Sequence, residues 1–477
     1  MKEIMGGEVH VVMLPYLAFG HMIPFFHLSI ALAKSGIRVS FVSTPRNIDR
    51  LPKPPVNLSA LLEFVPFPLP IVPNTNGETL PPNAEATVDV PADKVPLLDA
   101  AYNLLRDPFK QFLFDKSPHW IIQDFLADWT IDIAKEFCIP IIGFSVFAAI
   151  TNAFIGPPDF MVGDARKSVR PTAESLMSPP PWIRFESSLG LPSYEAVSFF
   201  HGFFGKDGPA EKIATVLRES KAVAIRTCPD FECGYFDVLE TMYEKEVIPV
   251  GLLSPTPSDH GGDEEWIKIL HWLDQQKPKS VLFVGFGSEC RLSKEQIEEI
   301  ARGVELSNFS FIWALRKSHW AGNDDEVLPQ GFSSRTSGRG IVGMGWAPQL
   351  KILAHPSIRG SLFHSGWGSV IETLQYVHRL VLLPLIIDQG INAKLLVEKN
   401  LAIEVEINED GSFSGESIAK ALKRAMASEE GDEMSQRAKE TAAIICNRLR
   451  EAEYMNKFVK YLTNNHEREI AGIESRK

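Results

Sequence analysis

The sequence predicts an α/β protein made of two doubly wound domains, and three observations carry that expectation. Short apolar runs alternate with longer stretches of helical spacing from the first residues onward. These runs form two sets of about six, and a proline- and glycine-rich stretch without periodicity separates the sets. Alternation of this kind means βα units, hence parallel sheets covered by helices on both faces.

The first set is Val9 to Leu14, Arg38 to Val42, Leu62 to Val65, Trp120 to Gln123, Ile139 to Phe144 and Ala222 to Arg226. The second is Ser280 to Gly285, Phe309 to Leu315, Gly340 to Val342, Gly360 to Phe363, Leu380 to Leu383 and Ala402 to Val405. Between them, residues 251–264 contain Pro255, Pro257, Gly261 and Gly262 and read as the linker. This puts a first domain at residues 1–250 and a second at 251–448, with 449–477 as a terminal helix and polar tail. Residues 416–462 read as successive helices, and the tail after Asn464 lacks periodicity and is expected to fray.

One segment breaks the regular alternation. Residues 156–208 carry Pro157-Pro158, Pro179-Pro180-Pro181 and many aromatics, among them Phe160, Trp182, Phe185, Tyr194 and Phe199. A long loop of this kind reads either as a lid packed on the sheet edge or as an apolar wall for a bulky substrate, and the two are compatible.

At 477 residues the chain is long enough for two or three domains, each with its own core. Apolar residues make up 45% and charged residues 23%, which argues against a largely disordered chain. The formal net charge of −12 disfavours nucleic acid and anionic lipid as partners. Cys138, Cys228, Cys233, Cys290 and Cys446 are odd in number and lack metal-ligand spacing, so neither a disulfide framework nor a zinc site is expected. The first seven residues show no basic stretch followed by an apolar one, and no apolar run approaches a membrane span. A cytoplasmic protein is expected, in which the sequons at Asn57 and Asn308 stay unused.

Open parallel sheets bind ligands beyond the carboxyl ends of their strands, so polar residues just after an apolar run deserve the closest reading. After Val9 to Leu14 come Gly20 and His21, with an apolar helix and Pro24 following at once. The helix N-terminus would disfavour imidazolium and keep His21 neutral, able to act as a base or simply to cap. Asp124 follows Trp120 to Gln123 at the same edge and could orient His21, as in a His-Asp dyad. Asp128 competes for that role but reads more simply as an N-cap before Trp129.

In the second half, Gly285-Phe286-Gly287-Ser288 closes a core strand, and small residues there let backbone approach an anion. The dinucleotide fingerprint is incomplete, because Cys290 holds the third glycine position. His364-Ser365-Gly366-Trp367-Gly368-Ser369 follows another strand and opens a helix. It reads either as a capped helix start with a packed tryptophan or as a diphosphate site of amides, hydroxyl and imidazole. Glu372 lies in that helix, and Asp388-Gln389 follow the next strand.

The segment 346–389, WAPQLKILAHPSIRGSLFHSGWGSVIETLQYVHRLVLLPLIIDQ, resembles the signature box of plant family 1 UDP-sugar-dependent glycosyltransferases in length, order and spacing. The FGS at 286–288 and the GHxxP at 20–24 also sit where that family has them. The rest, including GINAKLLVEKNLAIEVEINEDGSFS, resembles the branch that adds a sugar to a sugar already present on a small natural product.

The resemblance implies a GT-B fold, two Rossmann-like domains facing across a cleft, with the last helix returning to the first domain. Carried over position by position, Trp346 would stack on uracil, the backbone of Ala347 would bond its edge, and Gln349 and Glu372 would hold the ribose. His364, Ser369 and Ser288, with helix amides near Gly368, would hold the diphosphate. Trp367, Asp388 and Gln389 would face the sugar, His21 would be the base and Asp124 its partner. Four positions depart from the family pattern: cysteine is usual at Ser365, asparagine at Gly368, glycine at Val377 and proline at Arg379.

The implied reaction is transfer of glucose from UDP-glucose, with inversion and without a metal or other cofactor, to a hydroxyl on a terpenoid, steroid or flavonoid glycoside. The partners are then the UDP-sugar and a small apolar glycoside acceptor, and the protein is expected to be a monomer. UDP-rhamnose as donor or an aglycone as acceptor are alternatives within the same chemistry. Outside it stand a non-catalytic nucleotide-sugar sensor, against which His21 and Asp124 count, and a nicotinamide-dependent oxidoreductase, against which the broken glycine fingerprint counts.

Overall fold

The structure, a computed structural model, describes residues 9–72, 79–256, 264–316, 320 and 326–474. It divides into two compact units. One comprises residues 1–168, 203–253 and 448–477; the other comprises 169–202 and 254–447. The expected linker falls partly outside the described residues. The break itself lies between Leu253 and Ser254, and residues 169–202, expected in the first domain, belong with the second unit.

In the first unit the strands are β1 (His10–Leu14), β2 (Arg38–Ser43), β3 (Leu62–Pro66), β4 (Trp120–Gln123), β5 (Ile141–Ser145), β6 (Ala222–Ile225) and β7 (Glu246–Pro249). They form a parallel sheet of order β3-β2-β1-β4-β5-β6-β7. β7 escapes sequence reading because only Val247 and Ile248 are apolar before Pro249. As an edge strand it tolerates that proline.

β1 is buried along its whole length, as expected of a strand covered on both faces, and continues through Pro15 to Ala18 into the Phe19–Lys34 helix. Pro24 is the sixth residue of that helix, in its second turn rather than its first. The Arg448–Glu474 helix completes this unit. Met455, Phe458 and Leu462 are buried in its core, and the Trp120 indole donates to the Leu462 carbonyl at 3.2 Å. Arg450 meets Asp230 through Nε at 2.7 Å and Nη2 at 3.1 Å. The helix runs past Asn464 to Glu474, where a frayed tail was expected.

In the second unit the strands are β8 (Val281–Gly285), β9 (Ser310–Leu315), β10 (Gly340–Met344), β11 (Ile358–Phe363), β12 (Arg379–Leu382) and β13 (Ala402–Glu404). Their order is β10-β9-β8-β11-β12-β13, again with parallel pairing throughout. The change of direction at β8/β11 opens the crevice where doubly wound sheets take ligands, as β1/β4 does in the first unit.

The aromatic stretch 156–208 is helical over about half its length, with helices at Gly163–Val169 and Ser193–Phe204 and short 3-10 turns at Pro158–Phe160 and Ala173–Leu176. Of the prolines that suggested a loop, Pro157-Pro158 open the first 3-10 turn and Pro179 to Pro181 fall between the second turn and the Ser193–Phe204 helix.

Candidate active site

In the first unit, β1 and β4 are neighbours with Leu14 paired to Gln123, so the residues that follow each strand emerge side by side. Asp124 directly follows β4, and His21 is the third residue of the Phe19–Lys34 helix. The His21 Nδ1 and Asp124 Oδ2 stand 2.7 Å apart, with the carboxylate side chain 3% exposed and the imidazole 16%. An ionised Asp124 only accepts, so Nδ1 carries the proton and Nε2 of the neutral ring carries the lone pair.

Backbone N–H groups of Tyr16 and Leu126 also donate to the Asp124 carboxylate, at 3.4 and 3.2 Å. The imidazole lies edge-on to Tyr16 and Phe147, with centroids 5.7 and 5.5 Å away. Tyr16 is tied by its hydroxyl to Asp99 at 2.6 Å. Asp128 is not the partner. It opens the 3-10 turn Asp128–Thr130, where burial pushes its carboxyl above the usual range.

In the second unit, the carboxyl ends of β8, β9, β11 and β12 bring together most of the remaining candidates. His364 follows β11 and is buried. Its imidazole is packed between two glycines. A Cβ on Gly287 would stand 2.6 Å from its Cε1, and one on Gly366 would stand 2.6 Å from its Nε2. Burial pushes its pKa down to about 4, so it is neutral at physiological pH. Its Nδ1 has no hydrogen-bond partner among the described residues.

The Trp367–Leu374 helix begins here without a side-chain cap, leaving first-turn amides at Gly368 and Ser369 in the position that favours an anion. Trp367 itself is buried. Gln349, at the start of the Gln349–Leu353 helix, donates to Glu372 Oε2 at 2.6 Å, which joins the two candidates across separate elements.

Trp346 is 60% exposed, and the Arg316 guanidinium lies 5.7 Å from its ring centroid. Arg316 also donates to the Ser288 carbonyl at 2.6 Å, linking the β8 and β10 ends. Arg316 was missed in the sequence reading, although it directly follows β9 and the rule applied to other strand ends would have found it.

Asp388 occupies the position just before the Gln389–Glu398 helix without a side-chain cap bond to it, and its Oδ2 accepts from Asn392 Nδ2 at 2.8 Å. Gln389 is buried, and its Oε1 accepts from the backbone N–H of Leu385 and Ile386 at 2.9 and 3.0 Å. Its Nε2 lies 3.3 Å from Cys290 Sγ. Its amide therefore shapes the loop beside Asp388, leaving less of it for a sugar than the sequence suggested.

Three of the four departures from the family pattern have a local setting that the structure shows. Ser365 adopts φ 57° and donates to the Gln389 carbonyl at 2.8 Å. Val377 also holds a left-handed φ, 60°. Next to it, the fully buried His378 meets Ser361 Oγ at 2.8 Å and the Leu353 carbonyl at 2.9 Å. Arg379 donates to the Ala425 carbonyl at 3.0 Å near the end of the Gly415–Ala427 helix and pairs with Asp432.

Two doubly wound parallel sheets, one with a His-Asp pair at its crevice and the other with an uncapped helix start among polar strand ends, make an α/β protein with a candidate base in one unit and a candidate anion site in the other. Residues 7–136 match the family described as glycosyltransferase, N-terminal domain, and residues 269–435 match UDP-glucoronosyl and UDP-glucosyl transferase. UDP-glycosyltransferase 91A1 of Arabidopsis thaliana is 37% identical over 96% of this chain and 98% of its own length. Soyasaponin III rhamnosyltransferase of Glycine max is 37% identical over 95% of each. Among solved structures, the Glycyrrhiza uralensis enzyme UGT73P12, complexed with glycyrrhetinic acid 3-O-monoglucuronide, superposes with a TM-score of 0.75 at 23% identity. That match covers 98% of this chain and 100% of that one. Arabidopsis thaliana UGT89C1, complexed with UDP-L-rhamnose, gives 0.70 at 24% identity over 96% and 100%.

The chain belongs to the plant family 1 UDP-glycosyltransferases, inverting enzymes that transfer a sugar from a UDP-sugar. Among the described residues no helix is long and apolar enough to cross a membrane.

Proposed function

We propose that this enzyme transfers glucose from UDP-glucose to a hydroxyl on the sugar of a terpenoid, steroid or flavonoid glycoside, in the cytoplasm. The observation that carries the mechanism is the 2.7 Å contact between His21 Nδ1 and Asp124 Oδ2 in a chain of this family. His21 Nε2 takes the proton from the acceptor hydroxyl as its oxygen attacks the anomeric carbon. The bond from that carbon to the UDP oxygen breaks, and UDP departs with inversion. Asp124 stabilises the imidazolium that forms.

Trp346 stacks on uracil beside the Ala347 backbone, and the Gln349–Glu372 pair holds the ribose. The first-turn amides of the Trp367–Leu374 helix at Gly368 and Ser369, with Ser288 and His364, receive the diphosphate. Because burial keeps His364 neutral, it offers a hydrogen bond rather than a full charge. Trp367, Asp388 and Gln389 face the transferred sugar.

Support for a glycoside acceptor comes from the relative named for soyasaponin III and from the monoglucuronide in the Glycyrrhiza uralensis complex. A pocket that hydrogen-bonds a first sugar leaves polar groups unpaired when an aglycone binds, at about 1–3 kcal/mol each. Assaying one natural-product glycoside and its aglycone with the same donor, then locating the linkage by NMR, tests this. A new bond on the aglycone body would sink it. A rhamnosyl donor is the second reading, favoured by the soyasaponin relative and by the complex with UDP-L-rhamnose.

A further inference from the structure

The part of the first half that joins the second unit, residues 169–202, is fastened to both ends of one helix there. At the C-terminal end of the Gln389–Glu398 helix, Glu398 Oε1 accepts from the Ser188 backbone N–H at 2.6 Å. It also accepts from the hydroxyls of Ser187 and Ser188 at 2.9 and 3.0 Å. At the N-terminal end, the Glu195 carboxylate lies against Gly390. A Cβ built on that glycine would stand 1.9 Å from Glu195 Oε2, so the contact exists only because residue 390 is glycine.

Tyr194 supports the same contact. Its hydroxyl donates to Glu195 Oε1 at 3.2 Å, and its ring packs on Gly411, 3.1 Å from where a Cβ would stand. Burial and the nearby Glu404 push the Glu195 pKa up to about 7, opposed by Tyr194 and by Lys394, which pairs with Glu404 at 3.1 Å. A mostly buried carboxylate is costly to place, and here it meets the positive end of a helix dipole. Asp388 directly precedes that helix and Gln389 is its first residue, so Glu195 touches the residue immediately after the pair.

We infer that Glu195 is a positioning residue for the donor sugar. Seated on Gly390, it fixes the first turn of the Gln389–Glu398 helix and with it the reach of Asp388 and Gln389. The first half of the chain thereby takes part in donor selection. The inference rests on the proposed role of Asp388 and Gln389 and acts through them, without contact between Glu195 and the sugar.

The test uses the full-length enzyme. Glu195→Ala is expected to raise KM for UDP-glucose about tenfold while kcat stays within about twofold and calorimetric affinity for UDP is unchanged. Glu195→Gln, which keeps the shape, is expected to recover most of the loss. Gly390→Ala, which crowds the carboxylate without removing it, should reproduce the KM shift and serves if Glu195→Ala does not fold. A wild-type donor KM and unchanged preference between UDP-glucose and UDP-rhamnose in these variants would overturn the inference. So would parallel loss of UDP and UDP-glucose affinity, which marks a loosened unit instead. Asp388→Ala separates the two ideas. If it leaves the ratio of UDP-glucose to UDP affinity unchanged, the reading of Asp388 fails and the inference with it; if it lowers that ratio while the Glu195 and Gly390 variants are silent, the inference alone fails.

Discussion

Asp124 holds His21 through one carboxylate oxygen, at 2.7 Å from Nδ1, while Leu126 N–H donates to the other at 3.2 Å. The acid is thus fixed by its own turn before it fixes the imidazole. Removing the base should lower turnover by about 10²- to 10⁴-fold. His21→Ala is expected to do this with UDP affinity intact, because the nucleotide candidates lie on the other unit. Asp124→Asn should also be slow, since an amide can donate to Nδ1 and favour the wrong tautomer. Asp128→Asn should stay near wild type. Steady-state kinetics and UDP calorimetry on the three variants check the assignment, and loss of UDP binding in His21→Ala would point to a structural histidine.

Gly287 holds φ 69° with the His364 ring where a side chain would go. Gly287→Ala should displace that imidazole and add backbone strain of about 1–2 kcal/mol. The expected result is UDP affinity lowered by about tenfold or more, equivalent to roughly 1.4 kcal/mol. Unchanged calorimetric affinity would remove His364 from the diphosphate site.

Four histidines should make the fold acid-labile. Burial lowers the pKa of His10, His27 and His364 from 6.5 to about 4 and that of His378 to about 3. Unfolded, each binds a proton near pH 6.5. Their contribution is therefore full above that pH and is lost progressively as the pH falls toward 3 to 4. Each histidine costs up to about 1.4 kcal/mol per pH unit in that window. Urea midpoints should fall steeply below pH 6.5, and His378→Gln should flatten the slope. A slope equal to wild type would show that His378 is already charged in the fold.

The turn before β12 carries removable strain. Val377, a β-branched residue, holds φ 60°, where left-handed geometry costs about 1–2 kcal/mol. Val377→Gly recovers this less about 0.5–1 kcal/mol of glycine entropy. A net gain in unfolding free energy of about 0.5–1 kcal/mol is expected, with kcat/KM unchanged. Destabilisation would mean that packing of the half-buried valine outweighs its backbone.

Donor preference is measured directly. On the proposed roles of Asp388 and Gln389, the kcat/KM for UDP-glucose should exceed that for UDP-rhamnose or UDP-galactose, because a carboxylate and an amide can bond several sugar hydroxyls at once. With Gln389 largely engaged by its own loop, Asp388→Ala should cost more of this preference than Gln389→Ala. The reverse order would return the main role to Gln389.

Much of this arrangement was legible in the sequence because strands buried on both faces announce themselves as apolar runs, and polar residues just after them fall at the crevice. His21, Asp124, His364 and Asp388 were singled out this way, and each lies beyond the carboxyl end of a strand. β7 was not, because an edge strand of two apolar residues ending in proline leaves no period to detect. Glu195 was hidden for a different reason. It sits in an amphipathic helix among aromatics, and nothing local shows that the chain there crosses to Gly390, 195 positions later. Arg379 stood out only as a departure where proline is usual and His378 not at all, whereas buried hydrogen bonds to Ser361, Leu353 and Ala425 make both interior residues.

The Arg448–Glu474 helix, whose Leu462 carbonyl receives the Trp120 indole, sets a schedule for synthesis. The β1–β7 sheet is complete in sequence by Leu253, yet the face around Trp120 stays uncovered until roughly 200 further residues have emerged. At about 5–20 residues per second this is an interval of about 10–40 s. During that time the nascent sheet presents an apolar surface that its own C-terminus will later occupy. A ribosome stalled before Arg448 should therefore hold a chain that binds chaperones, and a short extension that releases Leu462 should end that association.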